Sequence, residues 1–144
     1  MTVSLSVVKT AVDEILHREL CILSNFLNHI KRINSHELFG LLGFPLGHSF
    51  SKTYFTEKFK AEKIDAEFVN FESDNIEQTL QVIKTTPSLK GFAVTIPYKE
   101  KIIPYLDHIS EDARKIGAVN TVKVEHTISG SILTGYNTDI LGFR

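Results

Sequence analysis

Cysteine is almost missing from this chain: Cys21 is the only one in 144 residues. An internal disulfide framework and a cysteine metal cluster are therefore both excluded. An excess of one charge is missing too. Sixteen lysines and arginines face seventeen aspartates and glutamates, for a net charge of −1. That balance excludes nucleic-acid binding driven by net positive charge, although not a local basic pocket. No run of about 18 apolar residues occurs, so no membrane-spanning helix is expected. Glycine and proline are absent from the first 37 residues; all eight glycines and all four prolines lie from Gly40 onward. No internal repeat or low-complexity tract is visible. The N-terminus shows neither a clean apolar run after a basic start nor a small-residue cleavage site. A secretory signal is not expected, and the expected location is cytoplasmic.

What remains is ordinary for a soluble globular protein, with 42% hydrophobic and 23% charged residues. The length suits one domain, or one domain with an appendage, and is short for a complete two-substrate enzyme. The glycine- and proline-free start reads as helix. Val8, Val12, Leu16, Leu20, Leu23, Leu27 and Ile30 recur at three- and four-residue steps along one stripe. Such a helix either packs on its own chain or docks on a partner. We therefore expect residues 1–37 to form a helical extension and residues 38–144 to form the domain.

From Leu38 onward, apolar runs alternate with helical spacing. Strands are expected at 38–44, 66–71, 89–96, 118–125 and 131–136. Helices are expected at 51–63, at 74–85 behind an Asp74-x-x-Glu77 capping box, after Pro97, and after a Ser110 cap. This order predicts an α/β fold, a three-layer α/β/α sandwich with a mainly parallel sheet. In such sheets ligands collect at the carboxyl ends of strands.

Four segments fall at strand ends. In Gly43-Phe-Pro-Leu-Gly-His-Ser-Phe-Ser51, Ser49 and Ser51 open a helix, where free N–H groups and the helix dipole favour an anion such as a carboxylate. Simple capping by one serine is the alternative. Glycines 40, 43 and 47 do not have the G-x-G-x-x-G spacing of a dinucleotide loop. In Gly91-Phe-Ala-Val-Thr-Ile-Pro-Tyr-Lys-Glu100, Thr95 ends a strand and Lys99 enters the next helix. The dipole there opposes a positive charge and favours the neutral amine, the form that accepts a proton. A solvated charged turn is the alternative. In Ile116-Gly-Ala-Val-Asn-Thr-Val122, Asn120 is an amide in an apolar run. It either satisfies backbone groups or faces a polar ligand. In Gly135-Tyr-Asn-Thr-Asp139, Asp139 is a ligand group or part of an Asx turn or helix cap.

Together, in this order and spacing, G-x-P-x-x-H-S-x-S, V-T-I-P-x-K, I-G-A-V-N-T and G-x-N-T-D-x-x-G resemble the shikimate dehydrogenase family over residues 38–144. The resemblance implies that Ser49 and Ser51 bind the substrate carboxylate, that Thr95 contacts substrate, and that Asn120 binds ring hydroxyls. It implies that Lys99 and Asp139 form the catalytic pair. It implies the reversible NADP-dependent oxidation of shikimate to 3-dehydroshikimate, in aromatic amino acid biosynthesis.

Two departures stand out. Ala93 takes a position where the family often has asparagine. The nucleotide-binding Rossmann domain, with its glycine-rich NADP loop, has no counterpart here. The expectation is thus the substrate-binding portion of a truncated enzyme, completed within a longer chain or by a separate nucleotide-binding chain. A stand-alone binding module for shikimate- or quinate-like acids and an inactive gene fragment are the alternatives.

Overall fold

Successive strand residues point to opposite faces of one sheet, and the two faces can be told apart by what covers them. In the computed structural model, which describes residues 5–139, two units separate between Ser35 and His36. The first holds α1 (Leu5–Ser35), one helix of 31 residues. Its stripe of Val8, Val12, Leu16, Leu20, Leu23 and Leu27 is exposed. Ile30 lies outside the side chains described. No described helix is long and apolar enough to cross a membrane.

The second unit runs β1 (Glu37–Gly43), α2 (Phe50–Ala61), β2 (Ala66–Glu72), α3 (Ile76–Lys84), β3 (Leu89–Val94), α4 (Tyr98–Lys101), a 3-10 turn (Ile103–Tyr105), β4 (His108–Ile109), α5 (Glu111–Ile116), β5 (Thr121–Thr127) and β6 (Gly130–Tyr136). The strands form one six-stranded sheet in the order β2-β1-β3-β5-β6-β4. Pairs β1/β2, β1/β3 and β4/β6 are parallel, while β3/β5 and β5/β6 are antiparallel. The expected α/β architecture is thus present, with a mixed sheet. Because β5 and β6 form a hairpin joined at Ile128 and Ser129, they run antiparallel and need no crossover helix.

The register assigns the faces. Leu42, Phe92, Val94, Val122, Val124 and Leu133 point to one side and are buried with Leu80 and Ile83 of α3. Phe39 and Phe68 point to the other, where they meet Phe59 and Phe55 of α2.

Local chemistry moved several boundaries. The cap of α3 is Asn75, whose Oδ1 accepts from Gln78 N at 3.0 Å. Asp74 is not the cap, because Asn75 is already extended and leaves Ile76 as the first helical residue. Ser110 caps α5 as expected, and Gly117 ends it in the left-handed region at φ 75°. Residues 118–120 precede β5 rather than belong to it. Pro97 is the cap of α4 rather than its first residue. The two-residue strand β4 carries too little pattern to be read from sequence. The helix expected to start at Asp139 lies mostly outside the described residues.

Candidate active site

Sheet direction brings the four sequence segments to one edge. Strands β1 and β3 are parallel, so their carboxyl ends lie side by side. Antiparallel β5 therefore begins at that edge, and β6 ends there. Backbone bonds stitch the segments together: Thr95 N to Leu42 O at 2.9 Å, Phe44 N to Ile96 O at 3.1 Å, and Val94 N to Asn120 O at 2.8 Å. The loop after β1 is further held by Leu46 N donating to Glu72 Oε1 at 3.2 Å.

Ser49 caps α2, its Oγ accepting from Lys52 N at 3.3 Å. The hydroxyl still has its own proton to donate, so capping and anion binding are compatible. Ser51 sits half-buried in the first turn, and no acidic residue lies there to repel an anion. His48 is exposed. Thr95 is half-buried, with its methyl against Gly43: a Cβ on that glycine would stand 2.5 Å from Thr95 Cγ2. Only glycine lets the first loop leave the sheet this close to Thr95.

Lys99 Nζ lies 3.6 Å from Asp139 Oδ2. The two are 40 residues apart by number, and the fold brings their side chains together. The helix carrying Lys99 has only four residues. A helix that short supplies little end field, so the carboxylate is the main electrostatic neighbour of the amine. Tyr98, beside it, is buried and donates its hydroxyl to Ser73 O. Burial, with the nearby Asp74 charge, pushes the Tyr98 phenol above its ordinary range, so it stays protonated and anchors α4.

Asn120 satisfies its own chain. Its Oδ1 accepts from Thr138 N at 3.0 Å and from Thr121 Oγ1 at 3.0 Å, and its Nδ2 donates to Thr138 Oγ1 at 3.0 Å. One Nδ2 hydrogen remains for a ligand. The Asx turn foreseen around Asp139 exists, but Asn137 makes it: Asn137 Oδ1 accepts from Asp139 N at 3.0 Å. Asparagine two residues before the acid was a readable signal for that turn, and the sequence reading passed over it.

A groove of about 730 Å³ opens on the α2 face of the sheet. Phe39, Phe55, Phe68, Ala93 and Lys123 line it, and it reaches Asn137 and Thr138. None of the six site residues expected from the sequence lines it. Ala93 faces this groove rather than the buried core. Among the described residues no group of histidine, cysteine and carboxylates could hold a metal ion.

The model of the shikimate dehydrogenase substrate binding domain matches residues 41–122. The chain belongs to the shikimate dehydrogenase family. The NADP(+)-dependent shikimate dehydrogenase of Halothermothrix orenii is 42% identical over 113 residues, covering 77% of this chain and 37% of the relative. Shikimate 5-dehydrogenase from Listeria monocytogenes, solved with shikimate and NAD, superposes with a TM-score of 0.65 at 35% identity, over 74% of this chain and 36% of that one. Quinate dehydrogenase from Corynebacterium glutamicum, solved with NAD, gives a TM-score of 0.64 at 29% identity, over 74% and 39%. The chain therefore spans well under half the length of these family members, and what it matches is their substrate-binding domain. Its mixed sheet is the family's fold.

Proposed function

We propose that this chain supplies the substrate half of an NADP-dependent shikimate dehydrogenase, which interconverts shikimate and 3-dehydroshikimate. The observation that carries the reading is the Lys99–Asp139 pair at 3.6 Å. It stands on the same strand-end edge as the serine-capped start of α2.

Shikimate carries a carboxylate and three hydroxyls. Ser49 and Ser51 donate to the carboxylate at the positive end of α2. Thr95 and the spare Nδ2 hydrogen of Asn120 meet ring hydroxyls. Oxidising an alcohol carbon removes a hydride from carbon and a proton from oxygen. Lys99 and Asp139, acting as one pair, hold that hydroxyl and take its proton. Fixing the ring between an anion site and a proton acceptor supplies much of the catalysis through orientation.

The residues present do not fit the coenzyme. The loop after β1 lacks the G-x-G-x-x-G spacing of a dinucleotide loop. NADP belongs to a Rossmann domain, in a longer chain or on a partner chain. The setting is aromatic amino acid biosynthesis in the cytoplasm.

Calorimetric titration of the chain with shikimate tests the substrate reading. One-to-one binding is expected, and it should weaken in the Ser49→Ala/Ser51→Ala double variant. Unchanged affinity in that variant removes the carboxylate role. Quinate should bind more weakly than shikimate. In an enzyme completed with an NADP-binding domain, Lys99→Ala should abolish turnover while changing substrate binding less; turnover within about tenfold of the parent would remove Lys99 as proton carrier.

A further inference from the structure

The two reacting side chains sit on segments that the sheet does not pair, yet both hang from one dipeptide. Val119 N donates to Lys99 O at 2.8 Å. The preceding residue, Ala118, accepts at its carbonyl from Asn137 Nδ2 at 3.0 Å, and Asn137 Oδ1 takes the Asp139 N–H at 3.0 Å. The dipeptide itself cannot drift. Gly117 ends α5 just before it, and Val119 is fully buried against Gly135. A Cβ on Gly135 would stand 2.9 Å from Val119 Cγ2. Asp139, by contrast, has a largely exposed side chain, 62% by area. Packing does not aim its carboxylate; the place where its backbone is fixed does.

We propose that Asn137 is a positioning residue, whose amide brackets Ala118 O and Asp139 N and so sets the Asp139 carboxylate opposite Lys99. The chemistry asks for an amide. The site needs one donor and one acceptor on the same short side chain. Aspartate would keep the acceptor and turn a second oxygen onto the Ala118 carbonyl. Serine is too short to reach both groups, and glutamine carries an extra methylene. Asn120, on the segment before β5, does a different task, because it holds Thr138 and not Asp139. The inference rests on the reading of Lys99 and Asp139 as the proton-handling pair.

The test uses the full chain and two readouts. By NMR, the Asp139 amide in the parent protein should exchange slowly. Exchange at the rate of an unstructured peptide overturns the bracket without any variant. The Asp139 carboxyl resonance in the parent should move when Lys99 is changed to Met. In Asn137→Ala the Asp139 amide should exchange about fivefold faster, and the Lys99→Met effect on the carboxyl resonance should be lost. Asn137→Asp should restore the slow amide without restoring that effect. A role in stability alone would lower the melting temperature and leave the Lys99–Asp139 coupling intact, and that result overturns the proposal. Shikimate titrations run alongside separate the two failures. If the parent ignores shikimate while the coupling follows Asn137, the functional reading falls and the bracket stands. If the parent binds shikimate and the coupling survives Asn137→Ala, the bracket falls and the functional reading stands.

Discussion

The two faces of the sheet are built from the same strands and differ in nearly everything else. On the α3 side, Leu42, Phe92, Val94, Val122, Val124 and Leu133 are all at most 3% exposed. On the α2 side, the register presents Gly91, Ala93, Thr121 and Lys123 beside an aromatic cluster of Phe39, Phe55, Phe59 and Phe68. Helix α2 itself has no buried residue. Sheets with parallel strands normally carry cover on both faces. Here one face is finished and the other holds a groove. The difference reaches the site. Lys99 and Asp139 are referred to the finished side through Tyr98, Val119 and Gly135, whereas the serines ride on α2. In the function proposed, the pair assigned to the proton stands on the rigid face, and the serines assigned to the acid stand on the loosely covered one.

The sharpest way to break this comparison is to remove core from the finished face. Leu133→Ala should cost about 2–5 kcal/mol, because the site is closed on all sides and leaves a cavity. A urea melt reads it, and a loss below 1 kcal/mol would mean that this face is less rigid than its burial indicates. Adjacent residues of β3 give a smaller, paired contrast. Val94→Leu overpacks the core and should cost about 1–3 kcal/mol. Ala93→Leu, one residue earlier and facing the groove, should change stability by no more than about 0.5 kcal/mol. Equal costs at the two positions would show that the groove is not open space.

Part of the finished face was legible in the sequence, because Phe92 and Val94 of β3 and Val122 and Val124 of β5 alternate with less buried neighbours; β1 is apolar on both faces and shows no such alternation. The six proposed site residues were singled out only through four ordered motifs; singly, each had a structural explanation. Two of those structural explanations are present, since Ser49 does cap α2 and Asn120 does satisfy its own chain, and each is compatible with the role proposed. What stayed hidden depended on distance along the chain. The tie from Asn137 to Ala118 joins segments 19 residues apart through sheet order, which no local pattern encodes; the pairing of Lys99 with Asp139, 40 residues apart, was expected only through the family resemblance. The two-residue strand β4 was hidden for a simpler reason: two residues cannot show a period. Asn75 was misread because an acid at Asp74 fits a capping box as well as the asparagine after it.

The next effect isolates the loosely covered side. Ser49→Ala removes the cap of α2 and should cost about 1 kcal/mol. Ser51→Ala lies inside the helix and should leave stability nearly unchanged. Shikimate affinity should fall in both. Thermal melts and titrations on the two variants separate the structural part of the serine pair from the binding part. A destabilisation shared equally by both would argue that Ser51 also has a structural role.

The smallest effect sits far from the site, where the edge strand joins β1. His36 Nδ1 lies 2.8 Å from Asp65 Oδ1, and Nε2 lies 3.7 Å from Glu67 Oε2. The Asp65 hydrogen bond, aided by both carboxylate charges, raises the His36 pKa above its ordinary value of 6.5. A raised value means that the folded state binds the proton more tightly than the unfolded chain. The contribution is therefore fully present below about pH 6.5, the unfolded value. It fades as pH rises through the higher folded value. All three side chains are well exposed, so the effect is small and screened by salt. His36→Gln should lower the melting temperature slightly at about pH 5.5 and not at about pH 8.5. A gap between parent and variant that widened with rising pH would mean that neutral His36 is the form the fold prefers, and that the tie between the starts of β1 and β2 is not ionic.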